Sequence, residues 1–212
     1  MLWHGGNMRG VLVIVSGFSG SGKGTVMKRL LEKYDSYSLS ISATTREPRE
    51  GEQDGREYFF KTVDEFEEMI EKGQLIEYAR YVGNYYGTPK DYVEKQLGGG
   101  KNVILEIELQ GALQVKAKIP ETVLVFLTPP CADELESRLR GRGTEDNETI
   151  AARLKRAAEE SDYMKKYDYV LVNDDLEKCV DDLNGIIRSE GWKTDRNGSL
   201  ITELKKDLSR FN

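Results

Sequence analysis

The chain has a single histidine in 212 residues, His4, and it stands ahead of the first patterned segment. A mechanism built on a histidine base or on zinc held by imidazoles therefore has little to rest on. The two cysteines, Cys131 and Cys179, are far apart. They offer neither a disulfide framework nor a metal-ligand spacing, and their scarcity fits a reducing compartment. No apolar run approaches membrane-spanning length, and the opening residues lack the apolar core of a signal peptide, so the expectation is a cytoplasmic protein with no membrane partner. An excess of positive charge is missing as well: 31 Lys and Arg face 37 Asp and Glu, a formal net charge of −6. General affinity for nucleic acid is not indicated, although a local basic site for a nucleotide can sit on an acidic body. Repeats and low-complexity tracts are also lacking.

What is present is the mixture of an ordinary globular protein, 38% hydrophobic and 32% charged, at a length that suits one α/β unit. Its organising stretch runs from Val11 to Thr25. The β-branched run Val11 to Val15 reads as a buried strand, and from Gly17 to Lys23 the spacing is G-x-x-x-x-G-K. Such a loop lets successive backbone N–H groups face phosphate oxygens at the positive end of the following helix, with the lysine reaching the β- and γ-phosphates. The loop comprises Gly17, Phe18, Ser19, Gly20, Ser21, Gly22, Lys23, Gly24 and Thr25. Gly24 stands where most such loops carry the hydroxyl that ligates magnesium. Either Thr25 substitutes, or the metal is held through water and acidic residues elsewhere.

Further along, Tyr37 to Ser42 alternates as a second strand, and Glu57 to Thr62 is aromatic and strand-like. Thr62-Val63-Asp64-Glu65 has the form of a capping box opening a helix that closes near Gly73. Leu75 to Val82 alternates again, and Gly83 to Thr88 reads as a turn. Pro89 starts a short helix ending at Gly98. Strands are expected at Asn102 to Leu109, Thr122 to Leu127 and Tyr169 to Val172. In the first of these a period of two puts Glu106 and Glu108 on one face. Strands alternating with helices predict a parallel sheet with helices on both faces, the α/β class of P-loop NTPases. The expected organisation is a disordered or extended segment 1–9, with Met8 a candidate initiator, and a body 10–190. That body carries a small β-rich insertion at 42–94 and a mobile helical lid at about 133–166. A helical extension at 191–212 follows, its Leu200, Leu204, Leu208 and Phe211 packing against the body.

Read alone, the loop with Arg46 and Arg49 is as well explained by a solvated charge cluster as by a phosphate clamp. Glu106 is a candidate for the metal side of the site, otherwise a partner for a lysine or the cap of a loop. These blocks taken together resemble the guanylate kinase family. The marks are Gly17-Phe18-Ser19-Gly20-Ser21-Gly22-Lys23, Ser42-Ala43-Thr44-Thr45-Arg46-Glu47-Pro48-Arg49-Glu50-Gly51-Glu52, Gly55-x-x-Tyr58-x-Phe60, Gly83-Asn84-Tyr85-Tyr86-Gly87-Thr88, Leu105-Glu106-Ile107-Glu108-Leu109-Gln110-Gly111, Arg138-Leu139-x-Gly141-Arg142-Gly143 and Val172-Asn173-Asp174-Asp175. The sequence departs from the family's usual pattern at Phe18 (proline), Gly24 (often serine), and Glu106 and Glu108 (aspartate in many members).

The resemblance implies phosphoryl transfer from ATP to GMP, with dGMP as a further acceptor and magnesium accompanying the donor. It makes 42–94 the GMP-binding part: Arg46 and Arg49 on the acceptor phosphate with Tyr58 and Tyr86, and Ser42, Glu77, Thr88 and Glu108 at the guanine. Arg138, Arg142 and Arg153 then close over the ATP phosphates beside Lys23. Asn173 lies near the adenine, and Glu106 holds the metal through water. The expected assembly is a monomer or a small homo-oligomer. Two rival readings are a kinase of the same body acting on another phosphate acceptor, and a non-catalytic interaction module. The first should lack the set Ser42, Glu77 and Thr88, and the second typically has a damaged phosphate loop.

Overall fold

A computed structural model describes residues 9–141 and 146–211. In chain order the first half is β1 (Leu12–Gly17), α1 (Lys23–Lys33), β2 (Tyr37–Leu39), β3 (Ser42–Thr44), β4 (Tyr58–Phe60), α2 (Val63–Glu71), β5 (Leu75–Tyr81), β6 (Asn84–Pro89) and α3 (Lys90–Gly98). The second half is β7 (Asn102–Leu105), α4 (Leu109–Lys118), β8 (Val123–Thr128), α5 (Ala132–Gly141), α6 (Asn147–Ser161), β9 (Tyr169–Val172), α7 (Leu176–Gly191) and α8 (Gly198–Leu208).

Five strands form one parallel sheet in the order β2-β7-β1-β8-β9. The organising strand β1 is its centre. Leu12 and Ile14 pack on one side with residues of α3, α4, α5 and α6, while Val11, Val13 and Val15 pack on the other with α1 and α7. All five side chains are buried, so the strand reads as a continuous apolar run, as a parallel sheet covered on both faces requires. The carboxyl ends of β1, β7, β8 and β9 share one edge, and loops from that edge build the site, the usual place in open α/β sheets.

A second sheet, β4-β3-β6-β5, forms the insertion. Its own small core is Ala43, Phe66 and Leu75, with the Tyr85 ring stacked on Phe66 at 5.1 Å. The expected capping box is present: Thr62 and Glu65 each accept from the other's backbone N–H and open α2.

Several expectations are corrected. The run Tyr37 to Ser42 is divided between two sheets, because the chain crosses from β2 to β3 at Ser40 and Ile41. Gly83 to Thr88 is mostly strand β6, and the turn is confined to Val82 and Gly83, both at positive φ. Helix α3 buries Val93 and Leu97 in the main core, so the insertion sheet closes at Pro89, short of residue 94. The segment 133–166 carries helices as expected, α5 and α6, and these bury Leu135, Leu139, Ile150 and Ala157 in that same core. Strand β7 stops at Leu105. The carbonyl of Ile107 accepts from the Ser16 hydroxyl at 2.8 Å as the chain turns into α4, so Glu106 and Glu108 lie in a turn and at a helix start. The extension does form a helix, but α8 buries no side chain, and Leu204, Leu208 and Phe211 are exposed. The segment 1–8, with the candidate initiator Met8, lies outside the described residues.

Candidate functional site: a cleft between the phosphate loop and the inserted sheet

The loop between β1 and α1 is shaped from within. Gly22 stands at φ +92°, and a Cβ there would come within 2.5 Å of the Asn173 amide nitrogen, so both the angle and the close approach call for glycine. The Lys23 ammonium donates to the carbonyls of Gly17 at 2.8 Å and Phe18 at 3.2 Å, holding it along the loop. Phe18 turns its ring into the core against Phe126 at 4.9 Å and contributes only backbone to the loop. The Ser21 hydroxyl is buried and has no hydrogen-bond partner among the described residues, an acceptor and donor left over at the centre of the loop. Gly24 is exposed, and a Cβ there would meet no described atom within 4 Å. Thr25 is exposed one residue further on.

Two groups clamp the loop from outside. The Asn173 amide at the end of β9 donates to the Ser21 carbonyl at 2.9 Å. Arg138 on α5 donates to the Asn173 carbonyl at 2.9 Å and to the Ser21 carbonyl at 3.4 Å, and its Nε is paired with Glu134 at 2.7 Å. Both residues were expected over the nucleotide, and here both hold the loop's backbone. Arg153 on α6 reaches the Ser19 hydroxyl at 2.6 Å and lines the cleft. Arg142 lies outside the described residues.

The cleft itself is about 650 Å³ and brings Ser16, Gly17, Ser19 and Lys23 together with Tyr58, Glu106, Glu108 and Arg153. Glu106 thus faces the same space as Lys23 although it is off the strand. A smaller cavity of about 160 Å³ adjoins, lined by Ser42, Tyr58, Thr88 and Glu106 among others. Behind Thr88 lies Glu77, only 6% exposed and tucked against Gly111. The Thr88 hydroxyl donates to Glu77 Oε1 at 2.7 Å. Burial pushes the Glu77 carboxyl above the usual carboxylate range, opposed by that hydrogen bond and by the charge of Lys118.

Arg46 and Arg49 lie outside the lining of both cavities. Arg46 Nη2 donates to both carboxylate oxygens of Glu52 at 2.9 Å, Nη1 donates to the Glu47 carbonyl at 2.7 Å, and the guanidinium rests over the Tyr58 ring at 5.3 Å. Glu52 also accepts from the Arg49 backbone N–H at 2.8 Å, and that bond, with Arg46 next, holds its carboxyl below the usual range. Tyr86 packs edge-on against Tyr58 at 6.1 Å.

Residues 9–190 match the family model described as guanylate kinase. The chain belongs to the guanylate kinase family. A guanylate kinase of Lactococcus lactis subsp. lactis is 54% identical to it over 188 residues, covering 89% of this chain and 92% of the relative. One from Caldanaerobacter subterraneus subsp. tengcongensis is 48% identical over 199 residues, covering 94% and 97%. The crystal structure of guanylate kinase from Anaplasma phagocytophilum superposes with a TM-score of 0.69 at 36% identity, covering 89% of this chain and 90% of that one. Helix α8 lies beyond the part that the guanylate kinase family model matches.

Sequence reasoning missed seven residues that line the cleft, the apolar Ile107, Leu109 and Phe126 and the polar Ser16, Tyr81, Arg156 and Glu160. For Arg156 a signal existed, since it follows Arg153 by three positions and so shares its helix face.

Proposed function

We propose that the chain transfers the γ-phosphoryl group of ATP to GMP, giving ADP and GDP, with the donor on the phosphate loop and the acceptor on the inserted sheet. One observation carries the reading: a single cleft is lined by Lys23 and the loop together with Tyr58, Glu106 and Glu108. The phosphoryl group leaves the donor through a loosely bonded state whose charge spreads over its equatorial oxygens, so catalysis consists of positioning and electrostatic stabilisation. Lys23 and Arg153 supply the positive charge, and Arg142 joins them. Arg138 and Asn173 act one step back, keeping the loop's N–H groups aimed at the phosphates. Arg46 and Arg49, with the Tyr58 and Tyr86 hydroxyls, receive the acceptor phosphate, for which Arg46 must share its fork with Glu52. Glu77 accepts from the N1–H and 2-amino groups of guanine while Thr88 and Ser42 serve the base. AMP would leave these groups unpaired, a basis for strong discrimination.

The donor set fits magnesium carried on the nucleotide. Gly24 offers no ligand, and among the described residues no group of three or more acidic, histidine or cysteine side chains forms a cage. Glu106 is the carboxylate that would hold the ion, through water, as magnesium with its tightly held waters prefers. When bound it neutralises charge on the phosphates. A coupled assay with ATP, magnesium and GMP, dGMP, AMP or IMP tests the reading. GDP and ADP form at the greatest kcat/KM with GMP or dGMP, and Lys23→Ala loses ~10²-fold or more in turnover. No ADP with any guanine acceptor would overturn it.

A further inference from the structure

Arg156 sits on α6 at the cleft, and its guanidinium is forked between two carboxylates. Nε donates to Glu160 Oε1 at 2.8 Å within the same helix, and Nη2 donates to Glu108 Oε2 at 2.8 Å across the cleft. The i,i+4 pair with Glu160 orients the fork and leaves Nη2 facing Glu108.

Glu108 is the residue immediately before α4. A side-chain oxygen at that position commonly turns back to accept from the free N–H groups of the first helical turn, where a negative charge is also favoured. Glu108 makes no such bond. Its Oε2 goes to Arg156 instead, and Oε1 has no hydrogen bond to the described protein.

We propose that Arg156 is a positioning residue for the acceptor: it draws the Glu108 carboxylate off the end of its own helix and holds it in the cleft with Oε1 turned to the second 2-amino N–H of guanine, the one that Glu77 does not take. The inference rests on the reading of Glu108 as a guanine contact. It makes α6 a participant in both halves of the site, with Arg153 serving the donor loop and Arg156, one turn further on, serving the acceptor.

The test is steady-state kinetics of the full chain with GMP and ATP varied separately, for the wild type, Arg156→Ala, Arg156→Lys, Glu108→Gln and the Arg156→Ala/Glu108→Gln double variant. Arg156→Ala is expected to raise KM for GMP about three- to fivefold, the upper end for one exposed ion pair. Its kcat, its KM for ATP and its melting temperature stay at the wild-type values, because Glu108 is then released to cap α4. Arg156→Lys recovers part of the GMP affinity. The double variant is no worse than Glu108→Gln alone, since the arginine acts only through that carboxylate. A joint loss of kcat and of ATP affinity is what a damaged α6 would give, and it overturns the proposal. So does an unchanged KM for GMP in Arg156→Ala while Glu108→Gln raises it, or effects that multiply in the double variant. If Glu108→Gln itself leaves KM for GMP unchanged, the guanine role of Glu108 falls and takes the proposal with it, a pattern distinct from the other failures.

Discussion

Glu77, proposed above to receive the base, carries a penalty of its own in the free protein. Its raised pKa means that the folded chain binds this proton more tightly than the unfolded chain does. The associated stability is therefore present at pH values below the unfolded carboxylate range and is lost as pH rises through the higher folded value. Glu77→Gln keeps an acceptor for the Thr88 hydroxyl and removes the titration. We expect its melting temperature, followed by circular dichroism, to fall less between pH 4 and pH 8 than that of the wild type. In the same variant KM for GMP should rise by ~10-fold or more, because an amide cannot accept both guanine donors at once. A parallel pH dependence in the two proteins would count against the assignment. At this scale Arg138 marks where the sequence stops being legible. Its place in the motif was plain, but helical spacing does not say whether a guanidinium meets a ligand or, as here, the carbonyls of Ser21 and Asn173.

Among the elements, the hairpin joining β5 and β6 carries local strain. Val82, a β-branched residue, sits at φ +46° with 79% of its surface exposed, and Gly83 follows at φ +81°. Two successive positive φ angles suit the Asn-Gly type of tight hairpin, and a side chain such as valine is disfavoured there by about 1–2 kcal/mol. Val82→Asn should raise stability by about 1 kcal/mol, read as a higher urea midpoint at unchanged slope. Elements with chemical punctuation were legible in advance: the capping box of α2, the Pro89 start of α3 and the apolar run of β1. The end of β7 was not, because Ile107 between two glutamates imitates strand alternation while its carbonyl is taken by Ser16. Nor was β6, whose Gly87 imitates a turn residue. It is in fact a point of close packing, where a Cβ would lie 2.9 Å from the Glu77 carbonyl oxygen and 3.0 Å from the Phe66 ring.

For the molecule as a whole, the body from β1 to α7 is closed without α8. The Asn197 amide ties the end of the body down by donating to the carbonyls of Gly191 and Lys193, at 3.0 and 2.8 Å. Beyond it no side chain of α8 is buried. A chain ending at Asn197 is expected to melt within about 0.5 kcal/mol of the full protein and to keep its kcat, measured by thermal denaturation and the coupled assay. The heptad-like spacing of Leu200, Leu204, Leu208 and Phe211 predicted a packed face. Periodicity records which side chains align, and here it did not record whether the body offers a surface to receive them.

The inserted sheet is joined to the body by two short crossings, at Ser40 and Ile41 on the way in and at Pro89 and Lys90 on the way out. The crossings act as two pins, and beside them the sheet rests on the body, with Ile76 of β5 buried in the main core and its carbonyl accepting from Lys118 at 2.9 Å, so the far end moves most easily about the line through the pins. Ser42 and Thr88 lie within two residues of those pins, whereas Arg46 and the tip at Val82 lie farther along the panel. In any swing about that axis the groups assigned to the base travel least and those assigned to the phosphate travel most. The purine would stay seated near the pivot while its phosphate is swept through an arc toward the donor.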